Sequence, residues 1–242
     1  MPVTYVCYEV FKYLVAIYRP SMDALTKSLP TAEHVMGAMR RIDRKHFVRD
    51  VSHAYDDRPL PLMNDQTISA PHMHAKALEY LYPIFQRIDT KKKRVSVLDI
   101  GSGSGYLTAC LGKLAKVEEP DETERGRVVG VDVYPALVQF SKEQIQTHYP
   151  ELFTYPRHFK ILAKDGKEGH PSKSLDEIYD GIHIGAACDY IPRHILRQLK
   201  PNGILVLPLK LGEHLQMCVV TKDTDRNLRF SLKESVRYVP LL

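Results

Sequence analysis

Val95-Ser-Val-Leu-Asp-Ile-Gly-Ser-Gly-Ser-Gly-Tyr-Leu-Thr108 is the stretch that decides the fold of this chain. Its first six residues form a short apolar run rich in valine, ending on Asp99 and Ile100, which reads as a buried strand. Gly101-Ser-Gly-Ser-Gly105 follows, where absent side chains let the backbone turn tightly and approach a ligand. Apolar residues then continue at helical spacing through 105–116. Strand, glycine turn and helix together open a doubly wound α/β domain, a beginning shared by nucleotide-binding enzymes of many kinds.

Reading toward the C-terminus, strand and helix patterns alternate. Arg127–Val133 is expected as a strand, Pro135–His148 as a helix, and His158–Ala163 and Tyr179–Gly185 as strands. A helix near 192–200 leads to strands at Gly203–Pro208 and Leu215–Val220, with a final segment at Ser235–Pro240. Such alternation predicts a mostly parallel sheet with helices on both faces. Segments 116–126 and 165–177 read as surface loops. Upstream, Val35, Met36, Met39, Ile42 and Phe47 fall at helical spacing after Thr31, with Glu33 in the first turn. Residues 55–71 contain Pro59, Pro61 and Pro71 and read as an ordered loop before another helix. The apolar stretch Tyr5–Tyr18 contains Glu9 and Lys12, lacks the features of a signal peptide, and is expected as an accessory helix or strand. The organisation expected is an N-terminal extension over 1–21, then one domain over 22–242 with its cofactor-binding core at about 94–210.

The 242 residues are enough for one α/β domain, and 44% hydrophobic against 26% charged is ordinary for a globular protein. No run approaches the ~20 apolar residues of a membrane span, so no membrane association is expected. The net charge of +5 is too diffuse to point to nucleic acid. Lys91-Lys-Lys-Arg94 lacks the interleaved aromatics of a nucleic-acid surface and reads as a solvated run. Cys7, Cys110, Cys188 and Cys218 show neither metal-site nor disulfide-framework spacing, which suits reduced thiols in the cytoplasm.

Two carboxylates sharpen the glycine motif. Asp132 ends the second strand, where it can accept both ribose hydroxyls of a nucleoside. Asp165-Gly166 follows the third strand, where an acidic side chain can meet an adenine amino group. With Asp99 at the loop, acidic residues at successive strand ends form the pattern of S-adenosylmethionine-dependent methyltransferases. That cofactor has no pyrophosphate, so the glycine loop lies beside its methionine and ribose. A dehydrogenase fits less well, because the glycines here lack the third spacing of a dinucleotide fingerprint.

From about residue 22 onward the sequence resembles the protein-L-isoaspartate O-methyltransferase family. Its most specific matches are Asp57-Arg-Pro-Leu-Pro61 and Gln66-Thr-Ile-Ser-Ala-Pro-His-Met-His-Ala75. The glycine motif, Tyr179-Asp-Gly-Ile-His-Ile-Gly-Ala-Ala187, Gln198-Leu-Lys-Pro-Asn-Gly203 and Tyr238-Val-Pro-Leu241 also match. The resemblance implies a Rossmann-like class I methyltransferase fold with an N-terminal helical segment. It implies S-adenosyl-L-methionine as methyl donor, with S-adenosyl-L-homocysteine as product. The acceptor would be the free α-carboxylate of isoaspartyl residues in damaged proteins and peptides, and the enzyme a monomer. The methyl ester would cyclise to a succinimide unaided, and hydrolysis would return some normal aspartate.

By the same resemblance, Gln66, Thr67, Ile68 and Ser69 fold over the cofactor and the methyl acceptor, with Ser69 in the active-site position and Thr67 and Ile68 beside the peptide. His74, Gly101, Ser102, Gly103, Ser104, Asp132, Val133, Asp165 and Gly166, together with Asp99, are the remaining cofactor positions. Where many members continue Val-Pro-Leu-Thr, this chain reads Val239-Pro-Leu-Leu242, so the contact of that Thr is expected to be missing. An isoaspartyl carboxylate is ionised at neutral pH and already nucleophilic, so neither general base nor metal is required. The remaining task is alignment, for which orientation can supply on the order of 7–11 kcal/mol.

Other readings of the same residues stay open at this level. Ser69 suits an N-cap for the helix after Pro71. His74 serves equally as a buried helix histidine, and His183 in a buried strand reads as structural. A methyltransferase acting on a small molecule or RNA leaves the 57–75 stretch unexplained. An adaptor that keeps the cofactor pocket usually carries a C-terminal partner-binding extension.

Overall fold

The computed structural model describes residues 30–86, 94–172 and 176–241. The expected N-terminal extension, Cys7 and Lys91–Lys93 lie outside them. The described residues open with α1 (Pro30–Arg41), then a short hairpin of β1 (Leu60–Pro61) and β2 (Thr67–Ile68), then α2 (Pro71–Phe85). Pro71 opens α2 in the first turn, where its missing N–H costs nothing. β3 (Ser96–Ile100), α3 (Tyr106–Leu114), β4 (Arg127–Asp132), α4 (Pro135–His148) and β5 (Phe159–Ala163) follow. Then come β6 (Tyr179–Ile184), α5 (Arg193–Gln198), β7 (Leu199–Leu211), β8 (His214–Lys222) and β9 (Leu228–Ser235).

The main sheet has seven strands in the order β5-β4-β3-β6-β7-β8-β9. Pairing is parallel from β5 to β7 and antiparallel from β7 to β9. Valine-rich strands suit this arrangement because strands covered on both faces bury every side chain. The period of two is visible in the packing: Val97 and Val128 join the cluster under α1 to α4, while Leu98 and Val129 join the cluster on the other face. Strand order reverses at β3, between β4 and β6, and the crevice at the carboxyl ends there is where ligands bind in open α/β sheets.

Two expectations need correction. The last strand is β9 at 228–235, not 235–240. Leu228, Phe230 and Leu232 alternate with Arg229, Ser231 and Lys233, a period-two pattern that identifies it. Residues 236–241 instead cross the carboxyl ends of the sheet, held where Val239 O accepts from Ala187 N at 2.7 Å and Leu241 N donates to Ala187 O at 2.8 Å. β7 is also longer than the expected 203–208, despite Pro201 and Gly203, because a register irregularity against β6 absorbs them. The 55–71 loop contains the small β1–β2 hairpin. Among the described residues no helix is long and apolar enough to cross a membrane.

Candidate active site

The glycine turn is held by the strand beside it. Val131 O accepts from Gly101 N at 2.8 Å and from Ser102 N at 3.0 Å. Gly105, at φ +85°, begins the turn into α3 in a left-handed conformation that L side chains rarely adopt. A Cβ there would sit 2.7 Å from Ser141 Cβ of α4, so glycine is needed twice over.

Asp132 braces the loop from the end of β4. Its Oδ2 accepts from Gly103 N at 2.9 Å and its Oδ1 from Tyr134 N at 3.0 Å. Burial raises its pKa above the usual carboxylate value, against the opposing effect of those backbone bonds. Each oxygen keeps a further acceptor direction, so the carboxylate can brace the loop and still receive hydroxyls. Gln66, Ile100, Gly101, Asp132, Val133, Tyr134, Gly166, Ala186, Pro240 and Leu241 line a narrow cleft at this point.

Asp99 behaves differently from the expectation. It is 1% exposed. One oxygen accepts from Thr108 Oγ1 at 2.5 Å, and the other bonds His183 Nδ1 at 2.8 Å. It therefore supports the loop from below rather than facing a ligand. Because the carboxylate accepts, the His183 proton sits on Nδ1, and the buried Nε2 has no partner among the described residues.

Asp165 is exposed and caps the turn Gly166–Glu168 by accepting from Lys167 N at 2.9 Å, while Gly166 alone reaches the cleft. The Ile68 side chain is buried in the core, so only its backbone is available to a ligand. Ser102 and Ser104 are buried within the turn, and Ser104 Oγ accepts from Tyr106 N at 3.4 Å.

On the other side of the 236–241 crossing lies a wider groove of about 570 Å³. Thr67, Ser69, His72, Gly185 and the 235–239 segment line it, joined by Pro59, Ala70 and Met73. Ser69 does not cap α2; Ala70 occupies that position and makes no side-chain cap. Ser69 instead lines this groove together with Tyr238, whose pKa is pushed up by burial. At the rim, His72 Nδ1 lies 2.7 Å from Asp57 Oδ1. Tyr238 was not singled out as a site residue from the sequence, although it lies in the Tyr238–Leu241 match.

His74 sits behind the loop, its ring 5.0 Å from that of Tyr106, the first residue of α3. Burial, and then the charge of Arg44, hold its pKa well below the usual imidazole value. Among the described residues no cluster of three or more metal-ligating side chains occurs.

The sheet order, the braced glycine turn and the cleft at the reversal point define a class I S-adenosylmethionine-dependent methyltransferase fold. The sequence model of the protein-L-isoaspartate(D-aspartate) O-methyltransferase family matches residues 22–242, and the chain belongs to that family. Protein-L-isoaspartate O-methyltransferase 1 of Arabidopsis thaliana is 39% identical over 87% of this chain and 84% of its own length. The Caenorhabditis elegans protein-L-isoaspartate O-methyltransferase is 31% identical over 87% and 85%. A Plasmodium falciparum structure assigned to the same activity and solved with S-adenosyl-L-homocysteine superposes with a TM-score of 0.75. It is 29% identical over 87% of this chain and 90% of its own.

Proposed function

We propose that this chain transfers the methyl group of S-adenosyl-L-methionine to the free α-carboxylate of L-isoaspartyl residues in proteins and peptides, as a protein repair enzyme. Family membership supports the reaction, and one geometric observation carries the assignment to a site. Ser69 and Tyr238 lie on a groove wide enough for a peptide, and the 235–241 segment lines both that groove and the cofactor cleft.

The residues present fit the cofactor. Asp132 offers carboxylate oxygens to ribose hydroxyls, while Gly101, Val133, Tyr134 and Gly166 give narrow, apolar walls suited to a flat base. Bound there, the cofactor supplies an electrophilic methyl group on a sulfonium. The chain's own part is positioning. Ser69 donates one hydrogen bond to orient the acceptor carboxylate without masking both oxygens. Thr67 and the 235–239 backbone hold the peptide. No side chain needs to remove a proton, because the acceptor is ionised at neutral pH.

We read 22–242 as one domain that acts as a monomer in the cytoplasm. Labelled S-adenosylmethionine with a matched isoaspartyl and aspartyl peptide pair tests the function. Label in the isoaspartyl peptide alone is expected. Equal labelling of both, or of neither with cofactor binding intact, overturns it.

A further inference from the structure

Arg44 is among the largest fully buried side chains described, 2% exposed, and a charge so placed is costly unless its donors are used. It opens a short turn, Arg44–Phe47, that Asp43 caps by accepting from Lys45 N at 3.0 Å. Its Nε donates to Ala54 O at 2.8 Å, and its Nη1 lies 3.3 Å from His74 Nδ1. The guanidinium carbon is 5.8 Å from the centre of the Tyr106 ring, which His74 also contacts. Arg44, His74 and Tyr106 thus form one buried unit directly behind the glycine turn.

A guanidinium has donors and no acceptor, and stays charged at any working pH. The His74 nitrogen facing it must therefore accept. That requirement removes the proton from Nδ1 and leaves Nε2–H as the ring's donor.

We propose that Arg44 is a positioning residue for the cofactor end of the site, fixing His74 as the neutral Nε2–H tautomer so that the ring presents an N–H to the carboxylate of the cofactor's amino-acid end. This rests on reading His74 as a cofactor residue. His183 gives a contrast within the fold: its Nδ1 donates to Asp99 instead. Facing partners of opposite character, Arg44 and Asp99, thus ask opposite roles of Nδ1 in two buried imidazoles.

The test uses the full chain in three forms: wild type, Arg44→Met and Arg44→Lys. Nitrogen-15 imidazole spectra, with the His74 signals assigned by their loss in His74→Gln, read the tautomer. Initial rates against S-adenosylmethionine and against an isoaspartyl peptide separate the two KM values. Wild type is expected to show only the Nε2–H form. Arg44→Met is expected to show a mixed or reversed tautomer and a cofactor KM raised about five- to tenfold, the loss of one hydrogen bond. Its peptide KM should stay within about twofold, and lowering the pH, which returns a proton to Nε2, should recover part of the cofactor KM. Arg44→Lys keeps a cationic donor and is expected to restore most of the cofactor KM; it also serves if the methionine variant fails to fold. An unchanged tautomer in Arg44→Met overturns the positioning role, as does a reversed tautomer in Arg44→Lys with the cofactor KM at its wild-type value. A changed tautomer with cofactor KM unmoved refutes the reading of His74 as a cofactor residue, and the functional part of the proposal with it.

Discussion

Replacing Asp132 by Asn separates two jobs that one carboxylate performs. Its two oxygens accept from Gly103 N and Tyr134 N at 2.9 and 3.0 Å. An amide offers one oxygen, so one backbone donor is left facing an NH₂ group. Losing a hydrogen bond to a charged group costs about 1.5–3 kcal/mol. Burial disfavours the charge being removed and offsets part of that loss, so the net destabilisation should be roughly 1–2 kcal/mol. For a chain of this size that lowers Tm by about 2–8 °C. The cofactor loses more, since hydroxyls that met a carboxylate now meet an amide whose oxygen is already engaged. One to two charge-assisted bonds correspond to a Kd raised on the order of 10- to 100-fold. Thermal unfolding and calorimetric titration with S-adenosyl-L-homocysteine read the two effects on one preparation. If the variant melts lower yet binds within twofold of wild type, Asp132 is a loop brace only, and the assignment of the ribose to it is wrong.

The raised pKa of Asp132 predicts opposite pH trends for binding and folding. As pH falls through the folded value, which lies above the unfolded one, the protonated carboxyl weakens cofactor affinity while the ligand-free fold gains stability, and Asp132→Asn should abolish both trends. Ser69→Ala and Tyr238→Phe should each lower kcat/KM for the isoaspartyl peptide about tenfold with cofactor Kd unchanged. Their double variant should fall well short of the product of the two effects, because both residues line one groove; full additivity would show that they act independently. Gly105→Ala combines a left-handed backbone with a Cβ 2.7 Å from Ser141 Cβ. It should cost roughly 2–4 kcal/mol and lower Tm by at least about 4 °C, whereas an unchanged Tm would mean α4 moves aside freely.

Much of the site was legible because its residues sit next to one another in the chain or at the ends of readable strands. Gly101 to Gly105 and Asp132 follow directly from strand patterns, and the structure places Asp132 against the loop. Asp99 was legible as an acid but not as a buried one. Only the pairing of β3 with β6 brings His183 beside it and turns it inward. Asp165 spends one oxygen on a local cap, which the strand pattern does not show. Tyr238 and Arg44 lie far from their partners Ser69 and His74 in sequence, and neither position carries a local signal of the contact it makes.

The sequence by itself determined the α/β class, the position of the glycine turn and the candidate site residues around it, because hydrophobic period and glycine placement act over a few residues. Tertiary structure decided which of those residues line a cleft, how the chain crosses the carboxyl ends at 236–241, and which groups face the nitrogens of each buried histidine. Those outcomes depend on burial and on partners from distant segments, and a hydrogen bond such as Arg44 to His74 exists only once the chain has brought both into one desolvated space.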